Sequence, residues 1–233
     1  MFRHLALAAV LALGAVGVRA QDFEKGLAAA QSGDFQTALK EWLPLAEQGN
    51  ATAQFNIAMM YHNGDGVPQD NAEAAKWYRL ASDQGDSDAQ NSLGGLYENG
   101  DGVPQDYAEA AKWYRLAADQ GDANAQSNLG VLYHAGDGVP QDYAEAAKWY
   151  RLAAQKGITK AQNNLAVMYE YGRQFPQNNV MAHMWYNLAA ANGAEKSGER
   201  RDAIAANMTP EDISKAQAMA SECMSSGYEN CGW

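Results

Sequence analysis

Apolar residues recur along this chain in two alternating helical rhythms. Ala53, Ile57, Met60 and Tyr61 fall at i, i+4, i+7 and i+8, one stripe of an amphipathic helix. The stripe returns every 36 residues, at Ala89, Leu93, Leu96 and Tyr97, at Ala125, Leu129, Leu132 and Tyr133, and at Ala161, Leu165, Met168 and Tyr169. A second stripe lies between: Ala110, Trp113, Tyr114 and Ala117, with Lys112 and Arg115 read as pointing outward. Each first helix is expected to end at a glycine, Gly64, Gly100, Gly136 or Gly172, and each second at Gly85, Gly121, Gly157 or Gly193. Asp70, Asp106 and Asp142 stand three residues before Glu73, Glu109 and Glu145. That is the Asp-x-x-Glu pattern of a capping box opening the second helix. The pattern predicts an all-α chain of helical hairpins.

The hairpins are near-copies. Gly-Asp-Gly-Val-Pro-Gln-Asp occurs at Gly64–Asp70, Gly100–Asp106 and Gly136–Asp142, each time followed by Ala-Glu-Ala-Ala-Lys-Trp-Tyr-Arg-Leu-Ala from Ala72, Ala108 and Ala144. A fixed period of this length marks a solenoid, whose units bury their apolar faces only against neighbours. Catalysis needs one asymmetric cluster, whereas copies present one face repeated, so the pattern points to a binding scaffold. The loop Asn99-Gly100-Asp101-Gly102 lacks the ligand order and distal Glu of a calcium loop and reads as a connector.

Composition adds a compartment. Arg3, an uncharged apolar run from Leu5 to Val18 and Val18-Arg19-Ala20 read as a signal peptide over residues 1–20. The run is too short for a comfortable membrane span, so no membrane insertion is expected after cleavage. Losing Arg3 and Arg19 from the 17 Lys+Arg leaves 15 against 28 Asp+Glu, a formal charge of −13. Such a chain is repelled by nucleic acid and anionic lipid. Cys223 and Cys231 lie close together near the end of an exported chain and read as a disulfide pinning the tail, worth ~2.5 kcal/mol of loop-closure entropy. A metal or redox pair fits less well, for want of a nearby His or a Cys-x-x-Cys spacing.

The string from Ala-Gln-x-x-Leu-Gly through Tyr, Gly-Asp-Gly-Val-Pro-Gln-Asp and Ala-Ala-Lys-Trp-Tyr resembles the Sel-one-like repeat (SLR), a long-loop branch of the tetratricopeptide superfamily. The resemblance implies a right-handed superhelical solenoid of antiparallel hairpins over residues 21–226. Residues 22–49 would form a plain tetratricopeptide hairpin, 50–85, 86–121, 122–157 and 158–193 four SLR units, 194–226 a capping pair, and 227–233 a tail. The last full unit departs from the pattern. Arg173-Gln174-Phe175 replaces Asp-Gly-Val, and Met181, Met184 and Asn187 replace Glu145, Lys148 and Arg151. Outer positions that turn apolar imply a cover, and a final pair near Glu195–Asn207 and Pro210–Ser225 is the expected one; a docking partner is the alternative.

The resemblance also implies that each first helix lines a concave groove for a protein or peptide. Carried over, the groove residues are Phe55, Met59, His62, Asn91, Glu98, Ser127, Val131, His134, Asn163, Val167, Glu170 and Tyr171. No cofactor or metal site is read from the sequence, and a monomer is expected. His62 and His134 sit two units apart, too far to share a metal. His183, where the previous copy has Ala147, reads as a satisfied helix–helix contact. Cysteine-rich relatives are linked to β-lactam binding or hydrolysis, but they carry a cysteine pair in every repeat. This chain has none there and no Ser-x-x-Lys motif.

Overall fold

A computed structural model of the chain describes residues 22–229 and Cys231. The leader read over residues 1–20 lies outside the described residues, as do positions 21, 230, 232 and 233. The described residues form twelve helices and no strand. They belong to two compact units that part between Asp106 and Tyr107. The first unit holds α1 (22–31), α2 (Phe35–Glu47), α3 (Ala51–Asn63), α4 (Asn71–Asp83) and α5 (Ser87–Asn99). The second holds α6 (Tyr107–Asp119), α7 (Ala123–Ala135), α8 (Tyr143–Ala154), α9 (Thr159–Glu170), α10 (Asn179–Ala191), α11 (Glu195–Ala205) and α12 (Pro210–Ser225). From α2 to α5 and from α6 to α11 consecutive helices pack on one another, and α10 carries both α11 and α12.

The helices start and stop for local reasons. Asp70 and Asp142 each accept hydrogen bonds from two backbone N–H groups of the helix they open, at 2.8–3.1 Å. The expected reciprocal half of the capping box is absent. The N–H groups of Asp70 and Asp142 are already bonded to the carbonyls of Tyr61 and Tyr133, so the glutamates are free to turn outward. Glu145 instead accepts from the Trp149 indole N–H at 3.1 Å and pairs with Lys148. The first helices have caps of their own, Asn50, Asp86 and Asp122, each accepting from the third residue of its helix.

Two devices tie each hairpin to the one before. Gln54, Gln90, Gln126 and Gln162 are buried, and each donates to a carbonyl eight residues back, at the end of the preceding helix (Ala46, Ser82, Ala118, Ala154), over 2.9–3.3 Å. They satisfy acceptors that a helix C-terminus otherwise leaves orphaned. In the long loop, Gly102 (φ 71°) and Gly138 (φ 68°) sit against the first residues of α4 and α6. A Cβ there would fall 2.2 Å from the backbone carbon of Asn71 or Tyr107, so the loop needs glycine for space as well as for φ. In the departing copy Gln174 holds the same left-handed conformation, at φ 66°.

Arg115, read as outward-pointing, reaches forward instead, and Arg79 in the copy before does the same. Arg79 donates to the Tyr97 hydroxyl at 2.5 Å, and Arg115 to that of Tyr133 while lying over the Trp149 ring. Met181, Met184 and Leu188 are buried in the core that α11 and α12 complete, so the chain supplies its own cover. His183 is buried there with Nδ1 unpartnered, which corrects the expectation of a satisfied contact.

Candidate peptide-binding face

In the first unit the predicted groove residues lie on α3 and α5. Met59 is 40% exposed. Phe55 is half-buried because its ring tilts onto Tyr78 of α4, with centroids 5.8 Å apart. His62 is half-buried and its Nδ1 lies 3.0 Å from the side-chain oxygen of Asn71, to which it donates. Asn91 and Glu98 are half-buried, and Gln105 donates to the Glu98 carbonyl. Beside His62 opens a cleft of about 170 Å³ lined by His62, Tyr78, Ser92, Gly95, Leu96, Asn99 and Asp101. Burial pushes the Tyr78 phenol up to about 12, opposed by its hydrogen bond with Ser92, so Tyr78 stays a neutral wall. The helical pattern of the sequence places Gly95 and Asn99 on this face. It does not single out Tyr78, Ser92 or Asp101, which come from other helix faces and the loop.

The second unit departs further from expectation. Ser127 is 1% exposed and its hydroxyl is buried, so it does not face a groove. Val131 and Val167 are half-buried against the core. His134 meets Arg173 through Nε2 at 3.0 Å and abuts the Tyr143 ring edge-on. Burial and the Arg173 charge both hold its pKa below the usual imidazole value.

At the far end α11 is laid over the predicted face. Ser197 donates to the Asn163 side chain at 2.9 Å, and Arg200 pairs with Glu170 at 3.2 Å and donates to the Tyr171 hydroxyl at 2.6 Å. Tyr186 also donates to Glu170, at 2.6 Å. Asn163 and Glu170 are therefore occupied by the chain itself, and Tyr171, though 55% exposed, is tethered. The reason is chemical: polar residues on the last first-helix supply the bonds that hold the cap. A larger cleft of about 470 Å³ lies where the start of α10 meets the α11–α12 turn. Its Asn178, Thr209 and Asp212 are engaged in helix capping.

The described residues hold no group of three or more His, Cys, Asp or Glu placed for a metal ion, and no helix long and apolar enough to cross a membrane. Four consecutive matches to the Sel1 repeat model cover residues 51–86, 87–122, 123–158 and 159–193. The chain belongs to the Sel1 repeat family. No curated protein matches it. Among solved structures, a protective antigen of uropathogenic Escherichia coli with an SLR fold is 32% identical, with a TM-score of 0.80. That match covers 94% of this chain but 48% of the antigen, so this Sel1 repeat chain spans about half of its relative's length. A Sel1 repeat protein from Oxalobacter formigenes is 29% identical over 88% of this chain and 77% of its own, with a TM-score of 0.69. A Klebsiella pneumoniae Sel1 repeat protein at 23% identity, with a TM-score of 0.50, shares the fold. The all-α solenoid architecture thus stands on both the repeats and these relatives.

Proposed function

We propose that this Sel1 repeat protein is a non-catalytic adaptor, exported to the periplasm or beyond, that binds a protein or peptide segment along its first-helix face. The observation that supports this reading is the α3–α5 face. It combines an exposed Met59, an aromatic shelf at Phe55 and Tyr78 and an open cleft. The binding surface is narrower than the full repeat array, because α11 takes the Asn163–Tyr171 stretch. Cross-linking capture of the mature chain in its own cell envelope, read by mass spectrometry, tests it. Met59→Lys with Asn91→Lys is expected to abolish capture while helical content stays unchanged. The charge-matched Asp83→Lys on the exposed side of α4 is expected to retain it. Loss with Asp83→Lys alone would place the partner on the opposite face.

Export and the cysteine bridge belong to the same reading. The charged, then apolar, leader supports export. Cys223 and Cys231 are both buried with Cα atoms 4.6 Å apart, within the range of bridged pairs. Intact mass of the purified mature protein after alkylation is expected to show two protected thiols that reductant releases; two alkylated thiols without reductant would exclude the bridge.

A further inference from the structure

The cleft beside His62 includes a position where α5 departs from the other first helices. The equivalent positions in the other units are Met59, Val131 and Val167, whereas α5 has Gly95. Gly95 lies inside a helix and does not use positive φ, so backbone conformation does not demand glycine there. Gly95 is one of the seven residues that line the cleft of about 170 Å³. A water occupies about 30 Å³ of liquid, so the space suits one long side chain rather than a stretch of backbone.

The lining selects which side chain. Tyr78 and Leu96 are apolar walls, and the Tyr78 and Ser92 hydroxyls are hydrogen-bonded to each other. With Nδ1 engaged by the Asn71 oxygen, the neutral tautomer of His62 that donates there presents Nε2 as an acceptor. Asp101 adds a half-buried carboxylate that forms no ion pair among the described residues, and Asn99 adds an amide oxygen. No Lys or Arg lines the cleft, and neither α3 nor α5 contains one. Acceptors without a cation, on a chain with formal charge −11, complement a donor-rich cation on a long apolar stem.

We infer that this cleft is the anchor for a single arginine side chain of the bound segment, its stem against Tyr78 and Leu96 and its guanidinium on Asp101 with His62 Nε2. Planar guanidinium donors match a carboxylate and a neighbouring acceptor better than an ammonium does. The inference rests on the reading that this face binds polypeptide, and it names the specificity of that site.

The test uses the full mature chain and N-acetyl-arginine amide, followed by backbone NMR. Saturable shifts are expected at Gly95, Asn99 and Asp101. Affinity should fall roughly tenfold for N-acetyl-citrulline amide, which keeps the shape and loses the charge. N-acetyl-leucine amide should give no saturable shift. Asp101→Asn is expected to weaken arginine binding by a similar factor, and Gly95→Val, the residue the next copy carries, to abolish it. If Gly95→Val perturbs folding, Asp101→Asn alone decides. Citrulline or leucine derivatives binding as well as arginine, no saturable shift, or binding indifferent to Asp101 would each overturn the assignment. A one-residue probe cannot span the face, so failure here leaves the capture experiment above to be judged separately.

Discussion

Trp149→Ala is expected to lower stability by roughly 3–5 kcal/mol, against ~1 kcal/mol for Asp142→Ala in the same helix. Trp149 is buried on α8, and its indole N–H donates to Glu145 while Arg115 lies over its ring. Removing it opens a cavity and takes one contact from each of these neighbours. Asp142 supplies acceptors to two backbone N–H groups at a helix start that water can reach. Both substitutions sit in one helix, so any local cooperativity of the array is shared. Urea denaturation followed by far-UV circular dichroism compares them directly. Equal midpoints would mean that the Trp side chain carries no more than a surface cap.

Leu188→Glu should be about as disruptive, and its control is built into the repeat. Leu152 and Leu188 occupy the same position 36 residues apart, yet Leu152 is 37% exposed and Leu188 is 0% exposed. The difference is the cover that α11 and α12 place on α10. A glutamate at 188 must lose its charge or its burial, at a cost of roughly 4–7 kcal/mol at neutral pH. Burial would raise its pKa above the unfolded value. The folded state then holds the proton more tightly, and the deficit should shrink as pH falls toward the ordinary carboxylate range. Leu152→Glu should shift stability by no more than about 0.5 kcal/mol. Thermal melts of both variants at neutral and mildly acidic pH make the comparison; similar losses at 152 and 188 would argue against the cap.

Much of the fold is legible in the sequence alone. The 36-residue rhythm carries helix period, loop chemistry and core positions together, because a repeated unit must satisfy the same packing demand each time. The glycine stops, the Asp caps and the covered Met181 and Met184 follow from local rules. The second role of the capping glutamates does not. Their expected partner, the cap N–H, is taken by a tyrosine carbonyl from the helix before, and only the closed loop brings the two together. The same holds for Gln54, Gln90, Gln126 and Gln162, whose recurrence is visible in the repeats but whose carbonyl partners lie across a turn.

The candidate site divides in the same way. The sequence by itself determined which positions vary on the first helices, because the repeats can be compared copy by copy. Only the tertiary structure decided which of them are open. Ser127 is buried by neighbours that the helical pattern does not register. Asn163, Glu170 and Tyr171 are held by Ser197 and Arg200, from a helix outside the repeat pattern. Tyr78, Ser92 and Asp101 meet with Gly95 around one cleft. Periodicity reports how one helix buries its own face; what lies across from that face depends on contacts between residues distant in the chain, and these form only when the hairpins stack.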